Sequence, residues 1–521
     1  MQEKAVGMEK VNVSKDPDAG LKAEHHYIRR LPPWRYQLRE ALLPLVRWET
    51  PHLARVQKAV RCPSLDSYFA MTANLGTHTF FMIFLPILFW CGYTTAGRAL
   101  VHMLALGVFW SGWVKDLVCL PRPLSPPLQR ITMSGSAALE YGFPSTHSTN
   151  AVSVAVYLLH GIYTDDLRLS GMLRTAALFA CYWYATSIII GRLYCGMHGF
   201  FDVVIGTLLG IVIAVGQIVV GPKLDVAIAS GEWTAPLLAT LVVFVAVRFH
   251  PEPADNCPCF DDSVAFAGVV VGIQIGHWHF ANSGYAWSEP VLGTAPYSLA
   301  TIGSIRTALR LLVGVVIIFL WRAAAKPTLL RGLPPLFRQI EYVGLSLPRR
   351  FFKRASQYTR VPVLDQDDNV IPPAREIPAF FSTLGRGGRK RTVSVGPQSE
   401  ADAREMLAQQ HIQRKRSIRS LQGYAVNEDG AFTSSMATTP LEEIKPRFDD
   451  RLSPPTTNRR ETSSTPDGSD TEQDKVMFEG IEKPRVRYDV EVVTKLVIYA
   501  GIGWLSVEWN PILFMYIGLG V

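Results

Sequence analysis

Paired cysteines are what this sequence most plainly lacks. Of its seven, Cys62, Cys91, Cys119, Cys181 and Cys195 are scattered, and only Cys257 and Cys259 stand close together. That excludes the disulfide framework of a small secreted fold, and no redox compartment follows. Cys257-Pro258-Cys259 has no second ligand pair at zinc-like spacing, so it reads as a loop constrained by Pro251, Pro253 and Pro258. A cleavable signal is missing too, because MQEKAVGMEK is charged and has no apolar core. Charge itself is missing from two long stretches: Met71 to Gly97 and Val203 to Gly221 contain no Asp, Glu, Lys or Arg. Crossing a bilayer takes roughly 17 to 25 apolar residues, and both stretches suffice.

Apolar residues make up 48% of the 521 and are clumped rather than periodic. Runs near 74–96, 99–115, 149–163, 173–190, 202–221, 234–248, 263–279, 308–324 and 490–519 predict an all-α polytopic membrane protein. Its expected form is a helical bundle with about eight to nine transmembrane helices and a disordered linker. Arg310 interrupts one run, and Asn510-Pro511 breaks the last. In such a chain a net charge of +8 collects on cytoplasmic segments, and no nucleic-acid motif accompanies it. No nucleic-acid partner is expected.

Four regions follow. Residues 1–70 form an N-terminal segment in which WRYQLREALLPLVRW puts Trp34, Leu38, Leu42, Leu45 and Val46 near one helical face, with Arg35 and Arg39 elsewhere. This predicts an amphipathic helix, kinked at Pro44, that lies on the membrane or packs on the protein's own spans. Residues 71–325 form the membrane core. Residues 326–485 form a basic linker rich in Ser, Thr and Pro, largely of disordered composition. Within it Arg389 to Ser394 and Arg414 to Ser417 have the form of basophilic kinase sites. Residues 486–521 are a C-terminal membrane segment.

Three polar clusters interrupt the apolar pattern. The second span ends in KDLVCLPRP, where Lys115 and Arg122 are brought together by a segment that Pro121 and Pro123 must bend. The third begins after YGFPSTHS, which places Ser145, Thr146 and His147 at a helix start, where backbone amides favour an anion. Between the fourth and fifth spans lies GRLYCGMHGFFD, with Arg192, His198 and Asp202. His198 and Asp202 are four apart and share a face if that segment is helical, so the carboxylate holds one imidazole nitrogen while the other faces a substrate. Counting spans puts all three clusters on one side. Lys115, Arg122 and Arg192 suit a phosphate of about −1.5 to −2 charges. Asp116 and Asp202 alone make a poor oxygen cage for magnesium, which predicts chemistry without a metal or other cofactor. Of the two histidines, one can attack phosphorus while the other protonates the leaving oxygen.

KDLVCLPRP, PSTH and GRLYCGMHGFFD resemble the three signature motifs of the type 2 phosphatidic acid phosphatase superfamily, KxxxxxxRP, PSGH and SRxxxxxHxxxD. Two positions depart from it: Thr146 stands where Gly is usual, and Gly191 where Ser is usual. The resemblance implies that His198 is the nucleophile, Asp202 its orienter and His147 the general acid and base. It also implies that Lys115, Arg122, Ser145 and Arg192, with Thr146 in the same motif, hold phosphate. RWETPHLARVQ, YGFPSTHSTNAVS, RLYCGMHGFFDVVIG and FHPEPADNCPCFDDSVAF resemble the fungal sphingoid long-chain base 1-phosphate phosphatases over residues 40–325. That implies a phosphorylated long-chain base as substrate and the endoplasmic reticulum membrane as location. A broader lipid phosphate phosphatase or a lipid phosphotransferase would carry the same motifs, and a polytopic transporter would explain the spans alone. The positive-inside rule assigns the clusters to the cytosol, whereas the resemblance implies a lumenal site.

Overall fold

The computed structural model describes residues 18–73, 78–125, 127–131, 139–165, 169–346, 349–361 and 486–521. The kinase-like motifs and most of the expected disordered linker lie outside the described residues. The helices are α1 (Glu24–Arg30), α2 (Pro33–Val60), α3 (Pro63–Ala73), α4 (His78–Trp90), α5 (Thr94–Val118), α6 (Thr146–Tyr163), α7 (Gly171–Tyr194), α8 (Phe200–Ala229), α9 (Thr234–Arg248), α10 (Cys259–Ala281), α11 (Leu299–Tyr342), α12 (Val490–Trp504) and α13 (Asn510–Tyr516). A π-helical turn, Leu505–Trp509, joins the last two. The chain is an all-α polytopic membrane protein. By length and composition α7, α8, α10, α11 and the continuous run Val490–Tyr516 can each cross a membrane, and α9 is a shorter apolar helix. Helix α11 runs past residue 325 to Tyr342, through the point where the sequence suggested the linker begins, and Gly303 breaks it near its start.

Small residues decide which helices touch. Gly268, Gly272 and Gly276 recur every fourth residue on α10, and a Cβ at Gly272 would lie 1.9 Å from Ala500 O of α12. The stripe lets the C-terminal helix approach backbone to backbone, the usual substitute for hydrophobic driving force inside lipid. Gly206 and Gly210 of α8 do the same against α6, where Cβ atoms would meet Ser145 O at 2.6 Å and Thr149 O at 2.4 Å. Thr149 Oγ1 then donates to Gly206 O at 2.9 Å. This locks the first turns of α6 and α8 together, which brings the second and third motifs into contact.

Helix α2 docks by a mixed face, with Leu43, Val46 and Leu53 buried beside polar residues. Trp34, Leu38, Leu45 and Trp48 are exposed, while Arg35, Arg39, Glu49 and Gln57 are buried. Arg35 Nε donates to Leu117 O at 2.7 Å and Arg39 Nε to Cys119 O at 3.3 Å, capping the last carbonyls of α5. The exposed tryptophans and leucines are left for the membrane, as for an interfacial helix, and the mixed face holds the bundle.

The segments flanking the linker meet at the same end. Phe352–Lys353 pairs in parallel with Arg487–Tyr488. Arg349 donates to His250 O and Pro251 O, each at 3.0 Å, and Arg487 to Cys257 O at 3.1 Å.

Near the other end of α5, Arg98 Nε is paired with Asp225 Oδ2 of α8 at 3.0 Å, and the arginine side chain is 1% exposed. Asp225→Ala should lower stability by about 3–5 kcal/mol, because it strands a buried guanidinium. Replacing both residues by apolar ones, Arg98→Met with Asp225→Leu, should recover most of the loss. Thermal midpoints of the detergent-solubilised variants check both statements.

Candidate active site

The three motifs converge where α5 and α7 end and α6 and α8 begin. Lys115 lies in the last turn of α5, Ser145 caps α6, Arg192 lies in the last turn of α7, and Asp202 in the first turn of α8. Arg122 reaches in from the loop after α5. Its Nη1 donates to Met197 O at 2.9 Å and approaches His198 Nε2 at 3.2 Å. On the other side of that imidazole, Nδ1 is 3.5 Å from Asp202 Oδ2. His147 is half-buried one residue into α6.

The pairing of His198 with Asp202 arises differently from the helical spacing expected of it. Helix α8 starts only at Phe200, so His198 precedes it in a turn. Asp202 Oδ2 accepts from Gly199 N at 2.9 Å, capping the helix with the oxygen that faces the imidazole. The turn itself needs Gly196, which has φ +63 and would bring a Cβ within 2.9 Å of Gln129 O. Ser145 Oγ is engaged by Ser148, accepting from its N at 3.4 Å and bonding its Oγ at 2.9 Å. Thr146 Oγ1 lies 2.8 Å from Ser111 Oγ, which ties α6 to α5.

The site is electropositive and buried. Lys115, Arg122, Arg192 and His198 are each at most 5% exposed. Burial first, then the charges of Arg122, Lys115, Arg192 and His147, hold the His198 imidazole well below the ordinary histidine range. An uncharged imidazole beside three cations can act on an anion as a nucleophile, which a protonated one cannot.

A PAP2 superfamily profile matches residues 96–224, the stretch that contains every one of these groups. A dihydrosphingosine 1-phosphate phosphatase of Schizosaccharomyces pombe is 41% identical over 306 residues, covering 59% of this chain and 73% of that one. The chain belongs to the PAP2 superfamily. A second dihydrosphingosine 1-phosphate phosphatase, from Saccharomyces cerevisiae, is 35% identical over 60% of this chain and 75% of its own. A human sphingosine-1-phosphate phosphatase 2 is 29% identical over 52% and 67%. No solved structure gives a significant match. This PAP2 protein is thus a multi-pass membrane enzyme, a phosphoric monoester hydrolase acting on lipid phosphates.

Its departure at Gly191 faces α3: a Cβ there would lie 3.0 Å from Phe69 Cδ1, so a serine would need that ring to give by a few tenths of an ångström. Three polar residues escaped the motif reading. Glu49 of α2 accepts from Phe201 N at 3.0 Å and so shares the first turn of α8 with Asp202. Gln57 donates to Gln129 O at 2.7 Å and Tyr194 O at 2.9 Å while accepting from Gln129 N at 3.0 Å, which clamps the His198 turn. Glu140 forms an ion pair with Arg122. The signal for Glu49 and Gln57 was the polar side of α2, and for Glu140 its place immediately before the YGFPSTH motif.

In the Cys257-Pro258-Cys259 segment the two sulfurs lie in contact with each other. Among the described residues, Asp116 joins this pair in a buried group whose ligand atoms lie within 4.8 Å of one another, and His250 Nδ1 is 3.7 Å from Asp116 Oδ2.

Proposed function

We propose that the enzyme hydrolyses phosphorylated sphingoid long-chain bases, such as dihydrosphingosine 1-phosphate, in the endoplasmic reticulum membrane. The free base and phosphate leave through a phosphohistidine intermediate, without a divalent metal or other cofactor. The observation that carries this is the placement of His198, buried with Nε2 beside Arg122 and Nδ1 facing Asp202. The substrate class follows the names of the relatives, and the location follows the resemblance to the fungal enzymes.

In the proposed cycle Arg122, Lys115 and Arg192 hold the phosphoryl oxygens, with the amides at the start of α6 behind Ser145 and Thr146. His198 Nε2 attacks phosphorus as the P–O ester bond breaks, and the leaving alkoxide takes a proton from His147. Asp202 takes the growing positive charge on the imidazole, and the 3.5 Å separation is one that tightens as charge develops. Water, giving a proton back to His147, then cleaves the P–N bond and restores the enzyme. Cations supply the charge stabilisation that a metal supplies elsewhere, and three of them around one imidazole make a poor cage for another cation.

Phosphate release from dihydrosphingosine 1-phosphate by the purified protein should persist in EDTA. Activity lost in EDTA and restored by magnesium would overturn the metal-free reading. Running the assay over a lipid panel with trapped acceptor alcohols tests the rest. Phosphorylated acceptor in place of free phosphate makes the protein a transferase, and equal turnover of phosphatidate makes it a broad lipid phosphatase.

A further inference from the structure

Two of the three cations proposed to hold phosphate already share an anion. Arg122 Nη2 donates to Glu140 Oε2 at 2.8 Å, and the same oxygen lies 3.9 Å from Lys115 Nζ. The side chains of Arg122 and Lys115 are 4% and 7% exposed, but that of Glu140 is 25% exposed, so the carboxylate forms the solvent edge of the site. Its backbone is not free to carry it away. The next residue, Tyr141, is fully buried, donates from Oη to Asp255 Oδ2 at 3.1 Å and accepts from Asp255 N at 2.8 Å. Gly142 N donates to Leu120 O at 3.0 Å. A phosphate that takes over the donors of Arg122 and Lys115 therefore leaves a carboxylate pinned beside it, deprived of its partners and close to a second anion.

A substrate that brings its own cation removes that conflict. In a sphingoid base phosphate the carbon next to the phosphate-bearing carbon carries an ammonium group. A glycerol phosphate lipid has no cation there, and an N-acylated base has a neutral amide. We propose that Glu140 is the ammonium-binding subsite, released from Arg122 and Lys115 when phosphate binds and re-paired with the amine next to it. The inference rests on the proposed substrate class and deepens it: Glu140 turns a general phosphate site into one that selects amino lipid phosphates. In the empty site it keeps the two buried cations compensated.

The test compares dihydrosphingosine 1-phosphate with its N-acetyl derivative, which has the same chain and phosphate, in mixed micelles. The wild type should prefer the amine. In Glu140→Gln the ratio of the two kcat/KM values should fall by about tenfold to a hundredfold, the scale of one charge-assisted hydrogen bond, and chiefly through KM. Glu140→Asp, which keeps the charge, should keep the preference. Inhibition by inorganic phosphate distinguishes this from a structural role: E140Q should bind phosphate at least as tightly as the wild type, since a competing carboxylate is gone. Equal losses on both lipids, or loss of phosphate inhibition in E140Q, would show that Glu140 only holds Arg122 and overturn the inference. So would loss of preference in Glu140→Asp and Glu140→Gln alike. A wild type active on both lipids without preference overturns the subsite and leaves the phosphatase standing, whereas one inactive on both sinks the proposed substrate class and the subsite with it.

Discussion

Purified His198→Ala should release phosphate at least about 10⁴-fold more slowly than the wild type, the loss that follows removal of a covalent nucleophile. The imidazole is the group whose Nε2 faces the cations, and its neutral state persists as pH falls through the usual histidine range because burial and four nearby positive groups oppose its protonation. Acid-side loss of activity in the wild type should therefore track another group. The fold should survive, since the side chain sits in the turn before α8 and its loss leaves Arg122 bonded to Met197 O and Glu140. Rapid quench with phosphorus-labelled substrate gives the direct readout. The wild type should carry label that is stable to base and released by acid, as a P–N bond is, and H198A should carry none. A folded H198A that turns over near the original rate, or that still labels with the same stability, assigns the nucleophile elsewhere.

His147→Ala should slow hydrolysis of a long-chain base phosphate by about 10² to 10⁴-fold with little change in KM, because proton donation matters only as the alcohol leaves. An aryl phosphate needs little protonation to depart, so it should recover much of that loss. Arg122→Ala should show no such rescue. Its guanidinium bridges Met197 O, His198 Nε2 and Glu140, and the phosphoryl oxygens lose that fork whichever group leaves. Arg122→Lys should do little better, because a single ammonium cannot span the nucleophile and the rim together. Steady-state kinetics of the three variants on both substrates decide the matter. Equal rescue of His147→Ala and Arg122→Ala, or of neither, would remove the case for an acid at one position and an anion clamp at the other.

Much of this enzyme was legible before its structure. Charge-free runs long enough to cross a bilayer specify membrane helices whatever they pack against, since the backbone must satisfy itself there. Arginine, lysine and histidine between such runs are costly unless they do something, which marked Lys115, Arg122, Arg192 and His198 from sequence alone. Other features needed three dimensions because they depend on partners distant in the chain. The residues by which α2 docks, Arg35, Arg39 and Gln57 beside Leu43 and Val46, could not be read from its amphipathic pattern, which fits a membrane surface or a protein surface equally. The His198–Asp202 pair is made by a turn closed with Gln57, 141 positions before His198, and by the cap on α8. Likewise Glu140 is an ordinary acid in the sequence, and only the bend after α5 carries Arg122 back to it. The sequence by itself determined the membrane class and nominated the candidate reactive side chains, because burial cost and chemical type are local properties. Tertiary structure alone decided which carboxylate serves which cation, because electrostatic pairing depends on separation in space.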